Sequence, residues 1–556
     1  MRYKWYKFKN RLFPALCFVL NLLTALFWVA LRVNYSGISK FLGADTNPTF
    51  LIMNLPLMVA AATWVSCALS LWGAAGWEKR KWPAVLSLIL GLIFAAAAVI
   101  VVLFGAKDYL RFILPHFWKS LAAAAAILLL GIALYFPVHG RNGLKTMLMA
   151  AVILICVVLG YQLRPCAFTC GAVVYAVEDD YQIIFSTSDS AVAWVEIAGE
   201  NYYDLYAGSM KSEDRVHKIE VPQEVLDGAK SYSIHAKQMI YRGPFGGYTG
   251  PEISETYEFR PVDSGDGISY FALSDVHEAV DAAIEASRVK FDFIVLLGDL
   301  VSMVETEKDA LLANELAYGI TQGQAPVIYA RGNHEIKGEY AEDLYKYVGA
   351  KGEDYCYDVT LGEDVFAVVL DLGEDHEDDW WEYYGTAQFD IYRAQQTRML
   401  EEILEAGEYE DYSYRLALCH IPVVYVDGKF AEFRSEWTGL LNKMDIDMCL
   451  SGHKHKLWPL LPGLAEPNTP VPGDELSYLT DHAFPNFLVD RRSLIQAGGT
   501  QQNGYDQYTG LYVRVDLRAG TQTACYMNSN YEILDGVFPF TGEKFRSIQM
   551  ELTGGR

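Results

Sequence analysis

Acidic side chains are almost missing from the first 170 residues, which hold three Asp+Glu against 16 Lys+Arg. The remainder holds 66 against 29, so a basic, apolar half precedes a strongly acidic one. An acidic surface repels polyanions at long range, which argues against a nucleic-acid-binding face. A small phosphorylated substrate is not excluded, because bound divalent cations dominate their own neighbourhood. Cysteine is also scarce, at nine residues in 556. Cys17, Cys67 and Cys156 fall in long apolar runs, and Cys419 and Cys449 sit in short apolar strands as small core residues. Cys166 and Cys170 are close enough in sequence for a bridge that only geometry can decide. The chain is too long for one core and predicts three or more units.

The basic half consists largely of apolar runs. A helix crossing a hydrocarbon core needs roughly 20 apolar residues. Five segments qualify, at 12–31, 50–72, 82–104, 117–136 and 144–163, and predict an all-α membrane domain over 1–165. The alanine run 122–126 also suits a buried soluble helix, but five such spans with so few acids favour a bilayer. None of them holds a carboxylate or a paired ion, which points to a plain anchor rather than a transporter. Basic residues cluster in the N-terminal tail (Arg2, Lys4, Lys7, Lys9, Arg11) and in the links holding Lys79, Arg80, Lys81, Arg141 and Lys145. The positive-inside rule then places the N-terminus in the cytoplasm and the acidic half outside the cell. The link 105–119, with three basic residues on the outer side, runs against that orientation. No small-x-small cleavage site follows the first span, so it reads as an uncleaved anchor.

Between 171 and 262 the pattern changes to short alternating runs separated by turns, such as YQIIFS at 181–186 and AVAWVEI at 191–197. Spacing of this kind predicts a small all-β antiparallel sandwich, whose simplest role is a rigid spacer. Its loop GPFGGYTG at 243–250 is a candidate for the rim of a neighbouring site.

From 266 to 550 the sequence reads as an α/β domain, a β-sandwich flanked by helices. Its first unit, 268–300, is strand, helix, strand, and ligands of such crossovers collect beyond the carboxyl ends of the strands. Asp275 and His277 follow the first strand, and Asp299 follows the second. The strand 325–330 ends in Arg331-Gly332-Asn333-His334-Glu335, LALC at 416–419 ends on His420, and IDMCL at 446–450 leads into Ser451-Gly452-His453-Lys454-His455. Five of the eleven histidines therefore come directly after a predicted strand. Any one of them alone would usually be an ordinary satisfied histidine; the ordered set D-x-H, G-D, G-N-H-E, H, G-H-x-H is highly specific.

That set resembles the calcineurin-like metallophosphoesterase superfamily over roughly 268–516, and QTRML at 396–400 is similar to a helix of that family. The resemblance implies a dinuclear centre. Asp275, His277 and His455 would bind one metal, Asn333, His420 and His453 the other, and Asp299 would bridge them. His334 would be the catalytic non-ligand histidine, donating a proton to the leaving oxygen or clamping the phosphate. The run at 181–199 resembles the fibronectin type III-like domain that precedes the catalytic domain of purple acid phosphatases. Those enzymes carry a tyrosine where this chain has Ser302, and they lack the histidine of D-x-H, here His277. A tyrosinate-coloured iron centre is therefore not expected.

The chemistry follows from the donors. Two cations ~3.5–4 Å apart lower the pKa of a bridging water enough to supply hydroxide near neutral pH for in-line attack on a phosphate mono- or diester. Mixed Asp, Asn and His donors suit manganese, iron or zinc rather than calcium. Glu335 reads either as an outer-shell carboxylate orienting an imidazole or as a surface group. The stretch EDHEDDWWEYY at 374–384 reads as a solvated acidic loop over packed aromatics, with a substrate-facing loop as the alternative. The Pro-rich insertion 458–494 is a long functional or mobile loop and a candidate lid, with a phosphate contact through Arg491 and Arg492 as the minority reading. The expected enzyme is a membrane-anchored, extracytoplasmic phosphoesterase whose partners are a phosphorylated substrate and the lipid bilayer. A non-catalytic surface receptor that keeps the fold, or a hydrolase gated by membrane sensing, are the rival readings.

Overall fold

The computed structural model describes residues 2–33, 81–104, 166–489 and 509–553, apart from 207, 244–245, 427–429, 475, 529 and 531, with a few further positions between 59 and 70. The chain divides into two compact units, Met1–Gln162 and Leu163–Arg556.

In the first unit, helices Arg2–Val33 and Trp82–Phe104 pack together. Their contact is polar at two points: Asn21 Nδ2 donates to the Ser87 carbonyl at 3.0 Å and to Ser87 Oγ at 3.1 Å, and Trp28 Nε1 donates to the Phe94 carbonyl at 3.3 Å. Interhelical hydrogen bonds of this kind fix partners where apolar surface alone cannot discriminate them. Among the described residues one helix, at Trp82–Ile100, is long and apolar enough to cross a membrane, while the first apolar run is the shorter Leu12–Trp28. Of the five expected spans, the one at 82–104 is carried by this helix. The segments 117–136 and 144–163, nearly all of 50–72, and Cys67 and Cys156 lie outside the described residues.

The second unit is layered helix, sheet, sheet, helix, as expected of the α/β domain. One sheet is six-stranded, and its parallel core runs through Val365–Leu370, Tyr414–Cys419, Met448–Ser451 and Asn486–Leu488. The other is nine-stranded and contains parallel strands Ile268–Leu273, Phe293–Leu296 and Pro326–Tyr329. Alternation along each strand splits its side chains between two cores. Tyr270, Ala272, Leu416, Leu418 and Leu450 fill the space between the sheets. Phe271, Leu273, Ile294 and Leu296 face helices Val280–Ala286 and Leu312–Thr321. Val368, Ala417 and Cys449 face Leu400 and Trp437, from helices Phe389–Ala406 and Ala431–Lys443. Register aligns the carboxyl ends: Leu273 pairs with Leu296, Leu296 with Tyr329, and Leu370 with Cys419.

Two boundaries differ from expectation. The β region at 171–262 does form two sheets, but Phe168–Val177 pairs in parallel with Pro326–Tyr329, so the first three-stranded layer continues the nine-stranded sheet. The cause is local: Phe168–Val177 is buried on both faces, and Gly171 leaves room for Tyr318, which a Cβ would meet at 2.2 Å. Lys218 then donates to the carbonyls of Tyr345, Val348 and Ala350, across what sequence divides as two domains. The insertion after 458 is likewise no free lid. Its strand Asn486–Leu488 joins the six-stranded sheet, and Thr480 N donates to the Val424 carbonyl at 3.0 Å. Arg491 and Arg492, and residues 244–245 of the rim-loop candidate, lie outside the described residues.

Candidate metal centre and active site

The aligned strand ends bring the five motifs to one place. Asp275 and Asp299 are buried, as are Asn333 and His420, whereas His455 remains partly exposed. Their backbones are unusual: Asp275, His277, Asp299, His453 and His455 all have positive φ, between 43° and 69°. Non-glycine residues avoid that region unless the surroundings impose it, and such positions cluster at functional sites. Two glycines make the turns fit. Gly298 has φ +75° and a Cβ there would meet Gly332 N at 2.2 Å; a Cβ at Gly452 would meet Ser274 Oγ at 1.9 Å and Asp275 Oδ2 at 2.6 Å.

Around Asp275, Oδ1 lies 3.6 Å from His455 Nε2 and 4.0 Å from His277 Nε2. Its Oδ2 accepts from Ser274 Oγ at 2.6 Å and from the His453 amide at 3.0 Å. Around Asp299, Oδ2 lies 3.0 Å from His420 Nε2 and 3.9 Å from His334 Nε2, while Oδ1 accepts from the His334 amide at 2.9 Å. Asn333 Oδ1 stands 3.1 Å from His453 Nδ1. His420 Nδ1 meets the Leu297 carbonyl at 2.6 Å, and His334 Nδ1 meets the Ser302 carbonyl at 2.8 Å, so in each ring Nε2 is the end that faces the site. Among the described residues, the acid and histidine donors form overlapping groups: Asp275–His277–His455, His277–Asp299–His334 and Asp299–His420–His453.

The donors fit metal ions on electrostatic grounds. Asp275 Oδ1 and His420 Nε2 are buried without a hydrogen-bond partner, although His420 Nε2 is within ion-pair distance of Asp299. Burial disfavours charge on both members of that pair. The Asp299 and then the Asp275 charge nevertheless push the His420 imidazole up to about 10, and the His420 and His334 charges hold the Asp299 carboxyl well below its usual range. Two converging carboxylates thus draw positive charge into a buried site, which a bound cation supplies without protonating a ligand.

Three residues take roles that the sequence did not assign. Glu335 is neither on the surface nor bonded to an imidazole: its carboxylate accepts from the amides of Asp299, Leu300 and Gly332 at 2.8, 2.6 and 3.0 Å. Glu374 and Asp375 turn toward the site rather than into solvent. Glu374 is buried and accepts from Asn333 Nδ2 at 3.3 Å, and Asp375 Oδ2 lies 3.1 Å from His453 Nε2. Only the tip of that acidic stretch is open, with Trp381 60% and Tyr384 61% exposed. The signal that would have found the two carboxylates is the one used for the other motifs, since they follow the parallel strand Val365–Leu370. Cys166 and Cys170 are both buried and unbridged.

Residues 268–457 match the family model described as calcineurin-like phosphoesterase, which supports a metal-dependent phosphoesterase. That family implies a dinuclear metal centre, without specifying the metals. Similar solved structures include a purple acid phosphatase from yellow lupin (Lupinus luteus), at 12% identity and TM-score 0.43, covering 69% of this chain and 74% of that one. A dimetal phosphatase from Danio rerio has 12% identity and TM-score 0.34, covering 51% and 99%. A conserved Streptococcus pneumoniae protein, itself described as a predicted phosphoesterase, has 11% identity and TM-score 0.24, covering 51% and 97%. No curated protein matches the chain. The family match does not extend to 171–262, so the fibronectin type III resemblance there rests on sequence pattern alone.

Proposed function

We propose that the chain is a membrane-anchored, extracytoplasmic two-metal enzyme that hydrolyses phosphate mono- or diesters. In this reading Asp275, His277 and His455 hold one ion, Asn333, His420 and His453 hold the other, and Asp299 serves both. The observation that carries it is the position of Asp299, whose Oδ2 faces His420 and His334 while Oδ1 is pinned by a backbone amide. Manganese, iron or zinc suits such a donor set. Bound ions of this kind activate water and neutralise charge on the phosphoryl oxygens.

The chain's own groups supply the rest. His277 and His455 stack with ring centroids 5.7 Å apart, and His334 meets His277 edge-on at 5.0 Å, so the imidazoles form one wall. The Ser302 carbonyl fixes Nδ1 of His334 as the N–H end. Its Nε2 faces the site and, once the ring has taken up a second proton to become the imidazolium, passes that proton to the departing alkoxide, a step general acids accelerate by about 10²–10⁴-fold. Support for anchoring comes from the helix Trp82–Ile100, and support for orientation from the basic residues of the N-terminal tail.

The test is the full-length protein in detergent, supplied with manganese, iron or zinc and offered aryl phosphate mono- and diesters. Hydrolysis with two bound ions per chain is expected. No turnover together with no bound metal by elemental analysis would sink the reading. Protease added to intact cells should cleave the acidic half, and protection would reverse the orientation.

A further inference from the structure

We propose that the adjacent carboxylates Glu374 and Asp375 form one outer clamp that orients both Asn333 and His453 on a single metal position. The inference rests on the two-metal reading and says what makes one of its two positions selective.

Glu374 Oε2 accepts from Asn333 Nδ2, which fixes the amide so that Oδ1 turns away, toward His453. A flipped amide would set its oxygen against a carboxylate. Asp375 Oδ2, 3.1 Å from His453 Nε2, makes Nε2 the N–H end of that ring, because a carboxylate can only accept. Nδ1 of His453 then carries a lone pair, and it stands 3.1 Å from Asn333 Oδ1, which is also an acceptor. Two acceptors held face to face by separate carboxylates repel each other unless a metal ion sits on both or the ring takes up a proton at Nδ1. A histidine ligand whose other nitrogen is held by a carboxylate is a recurrent device for fixing the tautomer and raising ligand basicity.

The clamp is itself held from behind. Arg393, which is 2% exposed, donates to the carbonyls of Leu372, Glu374 and His376. Gln396 bonds both the amide and the carbonyl of Asp371, and Arg331 Nε donates to Asp371 Oδ2 at 2.7 Å. Helix Phe389–Ala406 therefore fixes the backbone from which both carboxylates project. Lys337 Nζ, 3.0 Å from Glu374 Oε2, and Lys454 Nζ, 4.0 Å from Asp375 Oδ2, balance their charge.

The experiment titrates zinc and, separately, manganese into metal-free full-length protein, measuring stoichiometry and both dissociation constants. For wild type, two ions are expected. Asp375→Ala should weaken one ion by about 10–100-fold, the usual effect of losing an outer-shell partner, and leave the other unchanged. Glu374→Gln should weaken the same ion. Asp375→Asn should weaken it less, because its amide oxygen still accepts from Nε2–H. Thermal unfolding in chelator separates folding from binding. Neither ion weakened, or both weakened alike, overturns the clamp. Wild type that binds no ion fails the two-metal reading itself, before any variant is compared.

Discussion

The Glu335 carboxylate lies between two amides of the turn that carries Asp299, the proposed bridge, 2.8 Å from Asp299 N and 2.6 Å from Leu300 N. It also accepts from Gly332 N, so one side chain ties the G-D turn to the G-N-H-E turn. Burial and the Asp299 charge push its carboxyl up to about 7, against the pull of its amide donors. Glu335→Ala would leave three buried N–H groups unmet, at about 1–3 kcal/mol each. A loss of roughly 3 kcal/mol or more is expected in denaturant unfolding with chelator present, with a smaller loss for Glu335→Gln. Unchanged stability would mean the turns hold each other without it.

His334 and Asp299 should separate chemistry from metal binding. His334→Ala removes the ring whose Nε2 faces Asp299 at 3.9 Å but no proposed ligand. Turnover of an aryl phosphate should fall by about 10²–10⁴-fold with two ions still bound. Asp299→Ala should lose both activity and metal. Elemental analysis beside steady-state kinetics distinguishes the two outcomes, and loss of metal in His334→Ala would make that histidine a ligand.

The proposed ligands were legible as one cluster because each follows a short apolar strand, where a buried Asp or His has no packing role. The same rule, applied after Val365–Leu370, would have flagged Glu374 and Asp375. Six acidic residues within the stretch 374–384 made solvation the simpler reading. Glu335 was legible as polar and near the site, but its partners are backbone amides, which carry no signature in a sequence. The fused sheet was hidden for another reason. A strand buried on both faces, such as Phe168–Val177, looks the same whether its neighbour belongs to its own domain or to the next.

Gly452 should be intolerant of the smallest side chain. Its Cβ position is 1.9 Å from Ser274 Oγ and 2.6 Å from Asp275 Oδ2, and Ser274 is itself bonded to that carboxylate. Gly452→Ala must displace Asp275, with overpacking worth about 1–3 kcal/mol. The ion proposed for Asp275, His277 and His455 should weaken before the other. Adding Ser274→Ala to Gly452→Ala should recover part of the lost stability, because the first clash is with the serine oxygen. No recovery would place the strain in the backbone.

Metal binding should expel a proton from His420. The ring donates through Nδ1 to the Leu297 carbonyl, so a metal must take Nε2 as a lone pair. In the metal-free chain the Asp299 and Asp275 charges overcome burial and raise the imidazole to about 10, above the ~6.5 of an unfolded histidine. A group raised on folding contributes stability that is complete below the unfolded pKa and is lost as pH climbs through the folded one. The melting temperature of metal-free protein should therefore fall between about pH 7 and pH 10 through this group, a fall that loaded protein, with His420 already neutral, should not share. At pH 8 zinc uptake should release at least one proton, read as a dependence of binding heat on the ionisation enthalpy of the buffer. Binding heats that ignore the buffer would show that His420 is neutral before the metal arrives.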